Sequence, residues 1–369
     1  MSSRRIRVGI IGVSWGEAVH APAFRAVEEY EVVALCGRRP ESVKRAGERL
    51  GISDLSTDWR TFVERKDLDL ISVASPIDLH VDMGIAVLAA GKNLLCEKPL
   101  ATNETAARRL YDAWLKAGTA AAVCHELRWG PRRLAISDQV RSGAFGQLYH
   151  ARLCQSKSRW HPSNPPQAEW IYKRAEGGGF LLSLQSHDID YLRALFGEIA
   201  EVCADLQTSI ATQKLDDGRV IPVDADDTGT LLLRFEKGGS AIVTSSVMSV
   251  GMDSQTFEAY GSKSTIFMDR DLDAFSDGGN LYLANIGDKR IKPFPLASRK
   301  PVSGKVELKR RSGAIINAMA LMLEDWLPAF DGRPTPSVPT LYDGLRVQQV
   351  MDAARRSSDG AGWVKLPKP

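Results

Sequence analysis

The chain reads as an α/β Rossmann dinucleotide-binding domain followed by an α+β domain with a large open-faced, mostly antiparallel sheet. Three observations predict this. Over the first 126 residues apolar strand-like runs alternate with helical ones, and from Gln147 onward strands follow one another with only turn residues between. At 369 residues the chain is also too long for one ordinary core. Strands separated by helices pair in parallel, whereas strands joined by turns pair antiparallel. The change of pattern places a Rossmann domain at 1–126 and a substrate-binding and oligomerisation domain at 127–339. A C-terminal helix and tail, 340–369, is expected to pack back on the body.

The elements follow in order. RVGIIGV is the first strand, and SWGEAVHAPAF opens a helix through residues 20–29. EVVALCG, LDLISVAS and NLLCEK are further buried strands, with helices to residues 50 and 90 between them. The amphipathic ETAARRLYDAWLKAG then leads to AAAVCHELRW, a last strand. Beyond it GQLYHARLCQS, AEVCADLQTSI, DTGTLLLRFEKGGSAIVTSSVMS and SQTFEAYGSKSTIFMD have the alternation and turns of an antiparallel sheet. One helix, 179–196, interrupts this series early, and helices at 313–327 and 340–356 close the chain. The proline-rich patches at 163–167 and 333–339 read as loops.

Bulk composition narrows the function. A formal charge of +3 with scattered Lys and Arg argues against nucleic-acid binding. Cys36, Cys96, Cys124, Cys154 and Cys203 are odd in number, lack metal-site spacing and lie mostly in apolar runs. They read as buried thiols in a reducing compartment. No segment has the length and apolarity of a membrane span, and MSSRRIRVGIIG runs directly into a strand. A cytoplasmic protein with neither nucleic acid nor membrane as partner is expected.

Two motifs carry chemistry. At the first strand–helix turn the usual G-x-G-x-x-G is Gly12-x-Ser14-x-x-Glu17, with a further Gly16. Such a turn lets backbone N–H groups approach a pyrophosphate at a helix N-terminus, although Glu17 sets a carboxylate beside it unless the side chain turns away. The second strand ends in Cys36-Gly37-Arg38-Arg39-Pro40, where an NAD-binding protein would carry an acid for the ribose hydroxyls. Gly37 leaves room, and Arg38 and Arg39 suit a 2′-phosphate, which favours NADP, with NAD as the alternative. The second motif is LLCEKPL, in which Pro99 holds Lys98 extended at the end of a buried strand, as for a side chain that must be aimed.

Taken together these pieces resemble the Gfo/Idh/MocA oxidoreductases. The matching residues are GIIGVSWGEAVHAPAF with His20, SVASPIDLHVDMGIAVLAAGKNLLCEKPLA with His80 and Glu97-Lys98-Pro99, RSGAFGQL, GGGFLLSLQSHDIDYLRALFG and TLYDGLRVQQVMDAA. The resemblance implies cofactor contacts from Gly12, Ser14, Trp15, Gly37, Arg38, Arg39, Ser75, Pro76, His80, Glu97 and Lys98. It also implies that Lys98, through a bond to Pro99 that is often cis, reaches the substrate hydroxyl or carbonyl beside the nicotinamide. His187 falls where members place an acid/base histidine, and imidazole suits proton acceptance during alcohol oxidation. No protein metal ligand is expected.

On a regular helix Ser183 and His187, four apart, share one face. Family members usually carry an aspartate where Ser183 stands and a glycine where Gln185 stands. Either the acid/base relay is rearranged, with Asp188 or Asp190 substituting although neither occupies the matching position, or dehydrogenase activity is weakened or lost. CHELRWGP, with His125 and Arg128, lacks the family's asparagine. Arg128, Trp160 and Tyr172 join Lys98, Ser183 and His187 as candidate substrate-binding groups, because aromatic rings beside polar groups suit a sugar or polyol.

The expected function is an NADP(H)-preferring oxidoreductase acting on a secondary alcohol or ketone of a sugar, cyclitol or related polyol. A redox-neutral glycosidase of the same superfamily and a non-catalytic nucleotide-sensing regulator are the alternatives. The uncovered face of the second sheet predicts a homodimer or homotetramer through strands such as DTGTLLLRF and SAIVTSSVM.

Overall fold

The computed structural model describes residues 4–271, 280–296, 299 and 313–368. The chain divides into two compact units, Met1–Gly130 with Arg299–Arg346 and Pro131–Ser298 with Val347–Pro369. Among the described residues no helix is long and apolar enough to cross a membrane.

The first unit is a six-stranded parallel sheet in the order β3-β2-β1-β4-β5-β6. Its strands are β1 (Ile6–Ile11), β2 (Tyr30–Cys36), β3 (Asp54–Ser56), β4 (Leu70–Val73), β5 (Asn93–Cys96) and β6 (Ala121–Val123). The crossover helices are α1 (Ala21–Arg25), α2 (Pro40–Leu50), α3 (Trp59–Val63), α4 (His80–Ala89) and α5 (Glu104–Ala117). The apolar runs are largely buried, and β4, LISV, has every residue covered, as a sheet with helices on both faces requires. α5 begins where the Asn103 side chain accepts from the Ala106 N–H at 2.9 Å.

Several elements are shorter than the sequence predicts. α1 stops at Arg25 rather than 29, because the Ala26 and Val27 N–H groups close tight turns onto Ala23 and Phe24. β6 ends at Val123, where the chain bends into a 3₁₀ turn, Glu126–Trp129. The boundary at Gly130 lies close to the one drawn at 126, but the late segment differs. The part around α8 (Gly313–Trp326) belongs with the first unit. Tyr30 Oη donates to the Leu323 carbonyl at 3.0 Å and Trp129 Nε1 to Asp325 at 2.8 Å. The helix before it ends at Trp326 because Pro328 has no N–H to continue it.

The second unit is a nine-stranded sheet in the order β16-β15-β14-β13-β7-β12-β11-β8-β17. Its strands are β7 (Leu148–Ser156), β8 (Ile199–Gln207), β11 (Thr228–Phe235), β12 (Ser240–Ser246), β13 (Ser254–Gly261), β14 (Ser264–Asp271), β15 (Asn280–Asn285), β16 (Lys292–Pro293) and β17 (Val364–Lys365). A two-stranded ribbon, β9 (Thr212–Lys214) with β10 (Val220–Pro222), stands apart from it. Pairings are antiparallel except β7 with β12, which run parallel.

Alternation along β11 buries Gly229, Leu231, Leu233 and Phe235 and turns Leu232 outward, 38% exposed. α7 (Ser186–Phe196) covers the inner face, with Tyr191 edge-on to Phe257 and Phe196 edge-on to Phe235. α6 (Pro131–Arg141) was not legible in the sequence: its charges leave only Leu134, Ile136 and Val140 as aliphatic markers. The chain closes with α9 (Leu341–Arg356), whose Leu341 and Leu345 lie in the core of the first unit.

Candidate active site

Open parallel sheets bind ligands at the carboxyl ends of their strands, and the predicted nucleotide residues of the first unit gather there. Gly12 leaves β1 at φ +107°, and a Cβ on it would lie 2.2 Å from the Ala74 carbonyl oxygen. Its N–H donates to the Cys36 carbonyl at 2.8 Å, tying the turn to β2. Beyond Ser14 and the partly exposed Trp15 the chain enters a π-turn, Gly16–His20. The Glu17 carboxylate is drawn towards α2. Arg49 on α2 donates to both of its carboxylate oxygens, to Oε2 at 2.7 Å. Gly37 donates to the Ser56 carbonyl at 3.1 Å. Arg38 and Arg39 are exposed, and no ion pair or hydrogen bond among the described residues engages either guanidinium.

Lys98 follows β5, and its bond to Pro99 is cis. The residues around it form a buried relay. His20 Nδ1 meets Ser72 Oγ at 2.7 Å, and His20 Nε2 meets Glu97 Oε1 at 2.9 Å. The Lys98 backbone N–H donates to Glu97 Oε2 at 3.0 Å. Burial alone would raise the Glu97 carboxyl; the His20 bond and charge, then Lys98 and His80, outweigh it and hold the group below its ordinary value. Burial, with Glu97 and Glu126 close by, pushes the Cys124 thiol well up.

His20, Glu97 and Cys124 each offer a metal-ligating atom, all within 4.8 Å of one another. Nε2 and Oε1 lie at hydrogen-bond distance, so the two form a hydrogen-bonded pair with Cys124 beside them. His80, on α4, spans two carbonyls, Ser75 at 2.9 Å and Pro99 at 3.0 Å. It thereby pins the Ser75-Pro76 turn to the Lys98-Pro99 loop, and burial lowers its pKa against the pull of those two carbonyls. Arg128 is braced within the same unit, donating to Ser337 O at 3.3 Å and approaching Asp343 Oδ1 at 3.5 Å.

In the second unit His187 lies on α7 and is 4% exposed. The helix predicted from residue 179 begins instead as a π-turn, Leu181–Gln185, and becomes α-helical at Ser186. A widened turn of this kind is found preferentially at functional sites. Ser183, on that turn, is half-buried, with its hydroxyl 3.5 Å from the Phe180 carbonyl. Asp188 is engaged elsewhere, accepting from Arg133 at 2.8 Å, and the Arg133 guanidinium lies 4.7 Å over the Tyr191 ring. Trp160 and Tyr172 come together, ring centroids 6.3 Å apart and edge-on, 6% and 2% exposed. Their faces are spent on packing, and the Tyr172 hydroxyl accepts from the Gln167 N–H at 2.8 Å.

Two residues passed unnoticed in the sequence. Ser72 sits inside an apolar strand run and carries no motif. Asp226 caps the π-turn, accepting from the Leu181 N–H at 2.7 Å, and burial raises its pKa. Only its place in the cluster DADD hinted at it.

A parallel nucleotide-binding sheet with a fixed lysine at its carboxyl edge, joined in sequence to a sheet-and-helix unit, defines the class: an NAD-binding oxidoreductase. Residues 6–125 match the model of the oxidoreductase family with an NAD-binding Rossmann fold, and 134–267 match the GFO/IDH/MocA C-terminal domain. The chain belongs to the GFO/IDH/MocA oxidoreductase family. It is 28% identical to levoglucosan dehydrogenase of Pseudarthrobacter phenanthrenivorans over 71% of this chain and 73% of that one. It is 27% identical to myo-inositol 2-dehydrogenase of Thermotoga maritima over 72% and 75%. A structure of levoglucosan dehydrogenase in complex with NADH superposes with a TM-score of 0.83 at 25% identity, covering 99% of this chain and 100% of that one.

Proposed function

We propose that the protein is an NADP(H)-preferring dehydrogenase that moves a hydride between the nicotinamide and a secondary alcohol or ketone of a sugar, cyclitol or related polyol. The observation that carries this reading is Lys98, held at the carboxyl end of β5 by the Glu97–His20 chain beneath it and the His80 clamp on Pro99. An ammonium there polarises a substrate oxygen and stabilises developing alkoxide. His187 is assigned proton transfer, with Ser183 contributing a neutral hydrogen bond in place of a carboxylate. Relatives that act on levoglucosan and myo-inositol support the substrate class.

The cofactor choice rests on Arg38 and Arg39 and departs from the NADH-bound relative. Calorimetric titration of the cofactor-free protein is expected to show tighter binding of NADP⁺ than of NAD⁺. Charge-assisted bonds from two arginines correspond to about 10–100-fold in affinity. Arg38→Ala should pull NADP⁺ towards the NAD⁺ value. Preference for NAD⁺ in the unmodified protein removes the arginine argument and leaves the dehydrogenase reading intact. Screening of sugar alcohols by NADPH absorbance then tests the reaction, since a redox-neutral glycosidase releases no NADPH.

The outward row of the second unit's sheet supports self-association. Register sets Cys203, Leu232, Ile242, Arg152, Glu258 and Phe267 side by side across β8, β11, β12, β7, β13 and β14. An apolar stretch, Cys203, Leu232 and Ile242, beside an Arg152–Glu258 pair 3.6 Å apart suits a second copy. Light scattering at micromolar concentration is expected to give a dimer or tetramer, and Leu232→Arg to give the monomer. A monomeric unmodified protein sinks this part of the reading.

A further inference from the structure

Glu97 stands out among the buried charges because its two oxygens serve different ends. Oε1 faces inward to His20, and Oε2 receives the backbone N–H of the very next residue, Lys98. The carboxylate can only accept, so His20 Nε2 carries a hydrogen, and Ser72 Oγ, 2.7 Å from Nδ1, orients the ring from behind. His20 and Ser72 are fully buried and Glu97 is 8% exposed, so loss of the imidazole takes a donor from a buried carboxylate oxygen. The chain links the π-turn and β4 to the end of β5 through side chains, in addition to the backbone bond from the Glu97 N–H to the Val73 carbonyl at 2.9 Å.

We propose that His20 is a positioning residue for Lys98: by fixing the Glu97 carboxylate, with Ser72 holding the ring, it fixes the peptide from which the Lys98 side chain starts. The functional half of this inference rests on Lys98 serving at the reaction centre; the structural half does not. Ser72 and His20 are separated by 52 residues and His20 and Glu97 by 77, so the chain exists only in the folded sheet. Lys98 is followed by Pro99, which has no N–H, and preceded by Glu97, whose N–H is taken by the Val73 carbonyl at 2.9 Å, so the bond to the Glu97 carboxylate is what anchors the Lys98 amide itself.

The test reads the Lys98 amide directly. Protein labelled with ¹⁵N-lysine is compared as the unmodified chain and as His20→Ala, His20→Gln and Ser72→Ala, with Lys98→Arg to assign the signal. In His20→Ala the Lys98 amide hydrogen is expected to exchange about tenfold faster or more and to move upfield. The Lys92 amide, bonded to the Val87 carbonyl at 3.2 Å, serves as the control and should not change. Ser72→Ala should shift Lys98 in the same direction by less, and His20→Gln, which keeps an N–H donor, should recover part of the effect.

With a turned-over sugar in hand, kcat of His20→Ala should fall about tenfold with KM for NADP⁺ held within about twofold. A folded His20→Ala whose Lys98 amide is unchanged overturns the proposal; if that variant does not fold, an unchanged Lys98 amide in Ser72→Ala does so. Stoichiometric zinc in the purified protein that is lost in Cys124→Ser overturns it as well, because the metal would occupy Nε2 and Oε1. Failure of the unmodified protein to oxidise any sugar with either cofactor defeats the proposed reaction and leaves the amide measurement to decide the positioning role.

Discussion

Lys98→Met is expected to lower turnover by about 10²–10³-fold, the usual effect of removing one preorganised donor to a developing oxyanion. Methionine keeps the length and apolar stem of lysine, and two of the bonds that hold the loop do not involve the ammonium, whose charge helps to keep Glu97 ionised. The Lys98 backbone N–H still reaches Glu97, and His80 still clamps the Pro99 carbonyl. NADP⁺ affinity should therefore change by less than about tenfold and thermal unfolding by less than about 1 kcal/mol. The distinguishing measurement is the split between kcat and KM, followed by single-turnover NADPH formation. A loss confined to KM would make Lys98 a ground-state binding group only. Undiminished turnover would remove it from the mechanism and leave His187, on the other unit, to be tested by His187→Asn.

The sequence disclosed most where one local pattern decides the structure. The parallel sheet was legible because β1, β2, β4 and β5 are predominantly apolar runs, each broken by no more than one charged or polar residue. β3, with residues DLS, and α3, capped by Asp58 accepting from the Arg60 N–H at 3.0 Å, have no such run and were missed. The π-turn before α7 was also invisible, since one extra residue per turn leaves the hydrophobic spacing nearly unchanged over five residues.

The candidate site divides in the same way. The sequence could see that Glu17 put a carboxylate near the phosphate turn, but not that Arg49, 32 residues on, draws it aside. It identified Glu97, Lys98 and His80 by motif, yet the reason they hold their places lies in Ser72 and in two carbonyl oxygens, which no motif marks. Trp160 and Tyr172 show the converse. Their residue types suggest sugar recognition, and the fold spends their rings on each other and on Phe180.

Gly12→Ala is expected to cost about 3 kcal/mol or more of the first unit's stability and to weaken NADP⁺ binding by more than about tenfold. The backbone at φ +107° already disfavours a side chain by about 1–2 kcal/mol. The larger part comes from the close approach. The new Cβ would lie 2.2 Å from the Ala74 oxygen, 2.5 Å from its carbon and 3.0 Å from the Ser75 nitrogen. These are backbone atoms, and the Ala74 N–H is itself bonded to the Ile11 carbonyl at 2.8 Å, so β4 cannot retreat without breaking the pairing that defines the sheet. Relief must come from the phosphate turn, which moves Ser14 and the start of the π-turn away from the cofactor.

Gly51→Ala is the control. Its φ of +65° is also left-handed, but nothing lies within 4 Å of the added Cβ, so it should cost only about 1 kcal/mol and leave cofactor affinity alone. Thermal unfolding of the two variants, each with and without NADP⁺, separates strain from collision. Equal losses in both would mean that dihedral strain alone sets the cost and that the Gly12 turn yields without disturbing the nucleotide end. A larger loss in Gly12→Ala that added NADP⁺ fails to recover would tie this turn, and not the turn at Gly51, to cofactor binding.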